Sequence, residues 1–119
     1  MIRLQLSFIL ILFSYTVGQS NMEKGLEWYE KRAEGSKGFE AKSIPIDRSI
    51  EFFEKSLQED EDINAALMLM KALYYKGEYT TNNREEKKKI FDKGKKLGEE
   101  KVIQFPESAS FRYWYLVNL

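Results

Sequence analysis

Cysteine and histidine are both absent from this 119-residue chain. The lack of cysteine excludes disulfides, thiolate metal sites and a thiol nucleophile. The lack of histidine removes the commonest general base and the commonest metal ligand. Carboxylates are the remaining general acid–base groups, and no pattern in the sequence places two of them in a cleft. We therefore expect no catalytic activity, no metal and no cofactor.

The chain also lacks an excess of charge of either sign, with 19 Lys and Arg against 19 Asp and Glu. Beyond residue 20 it keeps 18 basic and 19 acidic residues. Because nucleic-acid binding depends on a strong basic field, we expect no nucleic-acid partner. Residues 84–101 hold eight basic and five acidic residues, and we interpret them as a solvated helix face.

No apolar run reaches the roughly 20 residues needed to span a bilayer. The run from Leu4 to Val17 follows the positive charge of Arg3, is interrupted by polar residues, and precedes the small residues Gly18 and Ser20. This pattern predicts a secretory signal peptide over residues 1–20 and an exported protein, periplasmic or extracellular. A cleaved signal peptide, an uncleaved membrane anchor and a buried structural helix are the three alternatives for this segment. If retained, this segment is the expected membrane contact.

Hydrophobic periodicity beyond residue 20 predicts five helices, over about 21–34, 45–59, 62–79, 84–104 and 109–119. Ser20, Asn83 and Ser108 have the residue type and position of N-caps, and Pro45 suits the first position of the second helix. The helical domain therefore spans residues 21–119. Its apolar pattern continues to Leu119 without a stop signal, so we expect truncation at the C-terminus.

The third predicted helix is the most apolar. Between Ile63 and Tyr75 its polar residues are Asn64 and Lys71, so apolar side chains surround its circumference. Such a helix needs partners on several sides. We expect Gly77 to end it as a left-handed C-terminal cap.

Two glycines of the fourth helix, Gly94 and Gly98, fall on its packing face. Each costs roughly 1 kcal/mol relative to Ala in a helix interior, which predicts close approach of a neighbouring backbone. We expect the third helix to be that neighbour.

Helices one and two match at a shift of 24 residues, with Leu26–Lys31 against Ile50–Lys55. A decayed internal repeat would produce this match. Two amphipathic helices with the same pattern would produce it equally well, and the sequence leaves both interpretations open.

Residues Ala72–Tyr79, ALYYKGEY, are similar to the end of the first helix and the turn of a tetratricopeptide repeat. Gly94 and Gly98 then fall at positions where the second helix of a tetratricopeptide repeat has small residues, and Pro106 falls at the proline position of that repeat. Ala109 opens the next first helix. The resemblance implies an all-α fold in which antiparallel helix pairs stack into a divergent solenoid.

The spacing departs from the usual repeat. Ile63 and Ala109 are 46 residues apart, against 34 in the usual repeat, and the excess lies within Thr80–Lys89. The usual repeat has Ala at the position of Lys101 and an aromatic residue at the position of Gly98.

A more particular pattern follows the insertion. It consists of Lys93-Gly94, Pro106, Ser108-Ala109, Tyr113-Trp114 and Val117-Asn118-Leu119. It resembles exported helical proteins related to the T component of tripartite ATP-independent periplasmic (TRAP) transporters, over roughly residues 46–119. This resemblance implies transporter components as possible partners. Members of that family are often lipoproteins, whereas this chain has no Cys.

Stacked helix pairs form a concave surface lined mostly by the first helix of each pair. In this register the candidate binding residues are Asn64, Lys71, Tyr74, Tyr75, Tyr113 and Trp114. The alternative is that the same side chains serve core or inter-repeat packing. We predict a binding scaffold for a protein or small solute, with a transporter accessory subunit and a membrane-tethered structural protein as alternatives.

Overall fold

The computed structural model describes residues 18–119, and the structural statements below concern this range. The predicted signal segment lies mostly outside it. The described residues form five helices and no β-strand, so the all-α prediction is confirmed. The helices are α1 (Asn21–Glu30), α2 (Ser43–Glu59), α3 (Ile63–Tyr79), α4 (Arg84–Gln104) and α5 (Ala109–Val117).

Side-chain caps open four of the helices. The side-chain oxygens of Ser20, Asp62, Asn83 and Ser108 accept backbone N–H hydrogen bonds from the first turns of α1, α3, α4 and α5. Each cap satisfies a donor that has no partner within its helix, and its loss typically costs about 1 kcal/mol. The predicted caps at Ser20, Asn83 and Ser108 are confirmed.

Three predicted helix bounds were wrong, the last being the end of α5, which lies at Val117 and not at Leu119. The first helix ends at Glu30 instead of Glu34, because the chain turns repeatedly over residues 31–35. The second helix begins at Ser43, two residues before the predicted start at Pro45. Pro45 still lies in the first turn, where a helix makes no use of the missing N–H.

The predicted role of Gly77 was also wrong. Helix α3 continues through it to Tyr79, and the glycines with positive φ in the described range are Gly35 and Gly38. A Cβ at Gly77 would lie 2.7 Å from Cε1 of Phe91 on α4. Gly77 therefore allows a close approach of the two helices and does not cap α3.

Consecutive helices run antiparallel. Ser49 of α2 donates a 2.9 Å hydrogen bond to the carbonyl of Gly25 in α1. Near the other end of α2, Asn21 at the start of α1 donates to the carboxylate of Glu59. The chain then reverses at each following loop, so that α5 contacts both α4 and α3.

Helix α3 is the centre of the fold, as its composition predicted. It packs against α2, α4 and α5. One buried cluster joins it to α2 through Ile46, Ile50, Phe53, Leu69, Ala72 and Leu73. A second cluster joins it to α5 through Ala66, Met70 and Phe111. Each fully buried large side chain stabilises the fold by roughly 1.5–3 kcal/mol.

The neighbour of the two α4 glycines differs from the prediction. A Cβ at Gly94 would lie 2.6 Å from Cγ of Asn118, immediately after α5. A Cβ at Gly98 would lie 3.0 Å from Cβ of Tyr115 on α5 and 3.0 Å from Cε of Met70 on α3. Helix α5 is thus the principal close neighbour, and α3 shares the contact only at Gly98. The sequence pattern located the packing face but not the helix that covers it.

Candidate functional site

Four of the six predicted binding residues meet between α3 and α5. The Trp114 ring lies 6.0 Å from the Tyr74 ring and 5.2 Å, edge to face, from the Tyr113 ring. The ammonium of Lys71 lies 5.6 Å from the centre of the Trp114 ring. We call Lys71, Tyr74, Tyr113 and Trp114 the aromatic site. Two residues come from α3 and two from α5, so the packing of these helices positions the site.

Lys71 supplies the positive charge of the aromatic site. Its side chain is half-buried, and within the described range it forms no salt bridge with a carboxylate. The Trp114 ring partly makes up for the missing carboxylate partner, because a cation over an aromatic face gains roughly 0.5–2 kcal/mol. The ammonium keeps unused hydrogen-bond donors, so the site can attract a hydrogen-bond acceptor or an anionic group.

Tyr74 is a neutral phenol at physiological pH, as a tyrosine ordinarily is, and its surroundings keep it so at higher pH. Desolvation raises its pKa above the ordinary value, and the nearby Glu78 carboxylate raises it further. A neutral phenol can donate a hydrogen bond as well as accept one. Tyr74 therefore offers an apolar ring and a polar tip in one place.

The sequence did not identify one aromatic neighbour of the site. Phe91 of α4 lies 6.1 Å from the Tyr74 ring and covers the backbone at Gly77. The small residue at Gly77 was the available signal, since a glycine inside an apolar helix indicates a bulky neighbour close to the backbone. It had been interpreted as a helix stop.

Tyr75 belongs to a different environment, on the α1 side of α3. Its hydroxyl donates a 3.2 Å hydrogen bond to the carbonyl of Arg32, and the Arg32 guanidinium lies over the rings of Tyr75 and Tyr29 at 5.4 and 4.2 Å. Its ring also lies 4.9 Å from that of Tyr79. Burial raises the pKa of Tyr29, and the nearby positive charge of Arg32 opposes that rise.

Asn64 stands apart from both groups. It is exposed in the first turn of α3, where its backbone N–H donates to Asp62. It lies about two turns, or roughly 10 Å, before Lys71 on the same side of the helix. The structure therefore does not bring Asn64 to the aromatic site.

The described residues show no other chemical centre. Within residues 18–119 no group of acidic residues is arranged to hold a metal ion. None of the helices in that range combines the length and the apolar character that crossing a membrane requires. A groove of about 510 Å³ lies beside Phe91 between charged side chains of α4 and the end of α5, and the six predicted residues do not line it.

No family model, no curated protein and no solved structure matches this chain. What the aromatic site can do is therefore argued from its own geometry. It combines large apolar area, phenol hydroxyls and an ammonium on one surface, which is the composition of a binding site.

Proposed function

We propose that this protein is an exported helical scaffold of the tetratricopeptide type that binds a protein or a small solute and carries out no catalysis. The observation that carries the proposal is the convergence of Lys71, Tyr74, Tyr113 and Trp114 from two helices. Aromatic residues with polar tips are favoured at binding surfaces because they bring a large contact area at low cost in conformational entropy.

The helix arrangement supports the repeat interpretation. Helices α3 and α4 form an antiparallel pair, and α5 packs against both. Tyr75 of α3 donates a hydrogen bond to the carbonyl of Arg32 in the turn after α1, and the Tyr74 ring of α3 meets the Trp114 ring of α5. Helices α3 and α5 thus share one side, as the first helices of successive stacked pairs do. In such an arrangement the shared side is the binding surface.

Site-specific photo-crosslinking tests whether this surface has a partner. A benzophenone side chain placed at Tyr113, which is 60% exposed, should yield a discrete adduct in the exported compartment. The matched control is the same side chain at Ile103, which is 82% exposed, lies in the last turn of α4 and is not part of the aromatic site. Equal adducts at both positions would show that the contact is nonspecific.

Native mass spectrometry tests the small-solute form of the proposal. A solute bound at the aromatic site should appear as an added mass on the purified protein. Lys71→Ala should remove it, since the substitution deletes the site's ammonium. The control Lys55→Ala changes an exposed lysine of α2 and should leave the added mass in place. If neither an adduct nor a bound mass is found, the binding proposal fails.

A transporter accessory subunit is the second candidate. The resemblance of the pattern from Lys93-Gly94 to Val117-Asn118-Leu119 supports it, and two residues of that pattern, Gly94 and Asn118, lie against each other in this chain. Co-isolation of a TRAP membrane subunit or solute-binding protein, or its gene beside this one, would favour this candidate.

A membrane-tethered structural protein is the third candidate. It depends on residues 1–20 remaining attached after export. The mass of the exported protein decides this, since a loss of about 18–20 residues means that the segment is cleaved.

A further inference from the structure

The loop between α1 and α2 is held in a defined shape by backbone hydrogen bonds. Lys37 and Glu40 exchange backbone hydrogen bonds of 2.9 and 3.1 Å across a tight turn. Gly38, within that turn, has a φ of +61°, a region that glycine adopts without strain. The backbone N–H of Ala41 donates a 2.8 Å hydrogen bond to the carbonyl of Tyr79, at the end of α3. The loop is therefore fixed to the rest of the fold.

This ordered turn presents a phenylalanine to solvent. The side chain of Phe39 is 94% exposed, more than any other large hydrophobic side chain of the described residues. A side-chain hydrogen bond also supports this turn. Asn82 donates it, at 2.9 Å, to the carboxylate of Glu40, the residue that follows Phe39. Exposing a whole aromatic ring forgoes its burial energy, so a partner that covers the ring would gain that energy.

Phe39 also forms one wall of a groove. Tyr75 and Tyr79, whose rings are 4.9 Å apart, also line it. The groove has a volume of about 220 Å³. Pockets for drug-sized ligands usually measure about 300–1,000 Å³. Its size therefore suits one large side chain of a protein better than a free small molecule.

The segment around the groove carries a net positive charge, and the charged side chain that lines the groove, Glu40, is already bound by Asn82. Residues 31–42 contain four basic and two acidic residues, whereas residues 21–119 as a whole carry one more acidic than basic residue. The Arg32 guanidinium lies over the Tyr75 ring beside the groove and has no salt bridge to a described carboxylate. Acidic residues that flank an inserted side chain would meet these cations.

We propose that the Phe39 groove is a docking site for a protein segment that inserts one large apolar side chain flanked by acidic residues. The proposal is independent of ligand binding at the aromatic site, because α3 separates the two surfaces. A second copy of this chain is a less suitable occupant, since it would bring a second net positive loop against the first.

A membrane surface is also less suitable. The loop lies at the end of α1 opposite residues 18–20, through which any retained N-terminal anchor would join the domain. A lipid surface would, moreover, need the exposed ring but not the groove beside it.

Titration of the full chain, labelled with ¹⁵N, with the peptide Ac-Glu-Glu-Trp-Glu-Glu-NH₂ tests the proposal. The amide signals of Gly38, Tyr75 and Tyr79 should shift with a common dissociation constant. Phe39→Ala should weaken binding by about tenfold or more, as the loss of a central aromatic contact typically does. The control Ile103→Ala removes another exposed apolar side chain, outside the groove, and should leave the affinity unchanged.

Two further peptides separate the apolar and charged contributions. Replacing the central Trp by Ala, or all four Glu by Lys, should abolish the shifts. Because Phe39 touches solvent on nearly all sides, its substitution should leave the melting temperature unchanged, so lost binding cannot be ascribed to unfolding.

Four results would overturn the proposal. The first is a Phe39→Ala variant that binds the Trp peptide as tightly as the parent, and the second is a parent protein whose signals shift equally with the Ala peptide. The third is a parent protein that self-associates in analytical ultracentrifugation while Phe39→Ala does not. The fourth is a parent protein that binds vesicles of three parts phosphatidylcholine to one part phosphatidylglycerol while Phe39→Ala does not. The last two would assign the exposed ring to a second copy of the chain and to lipid, respectively.

Discussion

Gly94→Ala should destabilise this protein although alanine is the better helix former. Replacing a glycine in a helix interior ordinarily gains about 1 kcal/mol. Here the new methyl group would lie 2.6 Å from Cγ of the buried Asn118 side chain. That side chain donates hydrogen bonds to the carbonyls of Trp114, at 2.8 Å, and Met70, at 3.4 Å, and so joins α5 to α3.

The magnitude follows from what Asn118 loses when it is displaced. Each hydrogen bond contributes about 1 kcal/mol, and a buried polar group left without a partner costs about 1–3 kcal/mol more. Overpacking of a tight interface adds a similar amount. These terms together come to about 4 kcal/mol or more, so after the propensity gain we expect a net loss of about 3 kcal/mol or more, which lowers the melting temperature of a domain this size by roughly 15 °C.

Thermal and urea unfolding, followed by circular dichroism at 222 nm, measure this change. The double variant Gly94→Ala/Asn118→Ala provides the decisive comparison, because the smaller side chain at 118 makes room for the new methyl group. The two losses should therefore combine to less than their sum, with a coupling of at least about 1 kcal/mol. Additive losses, or a Gly94→Ala protein more stable than the parent, would refute the proposed contact.

Three other tests concern the core, an ion pair and the tyrosines. Leu69→Asp should abolish cooperative unfolding, because it loses core packing and buries an unpaired charge at a cost of about 5 kcal/mol or more. The Lys76–Asp47 pair, at 2.8 Å and partly exposed, should show a coupling below about 1 kcal/mol that falls with added salt. Because burial raises the pKa of Tyr29 and Tyr74, their contribution to stability is complete below pH 10 and should be lost as the pH rises through the folded-state values. The double variant Tyr29→Phe/Tyr74→Phe should therefore lose less stability between pH 9 and about pH 11 than the parent.

Each of these tests has its own control. Leu116→Asp changes an exposed leucine and should leave the cooperative unfolding transition intact. A Leu69→Asp protein that still folds would contradict the central position of α3. For the ion pair, a coupling that persists in 1 M salt would contradict a screened contact. For the tyrosines, absorbance at 295 nm should show two phenols ionising later than the rest; identical pH dependence in parent and variant would refute their burial.

Local sequence signals predicted the helices and most of their starts. Ser20, Asn83 and Ser108 lie where a hydroxyl or amide must satisfy free N–H groups, and this requirement is contained in a few neighbouring residues. The apolar circumference of α3 likewise predicted its central place. Such inferences succeed because the cause lies within one turn of helix.

Inferences that depend on distant partners failed. Gly77 and Gly94 were both recognised as special, yet their partners Phe91 and Asn118 lie 14 and 24 residues away in sequence. A glycine that caps a helix and one that admits a ring from another helix look alike in a single sequence. For the same reason the sequence placed Tyr75 with Tyr74, although they face α1 and α5 respectively.

The order of helix contacts has a consequence for folding kinetics. Apart from the contact of α3 with α5, the principal helix contacts join neighbours in sequence. Folding therefore requires the closure of short loops only, and chains with such local contacts fold in microseconds to milliseconds. Since α3 belongs to both buried clusters, we expect it to form the folding nucleus with α2 or α4. Helix α5, which docks last onto a surface already formed, should then be the first to detach.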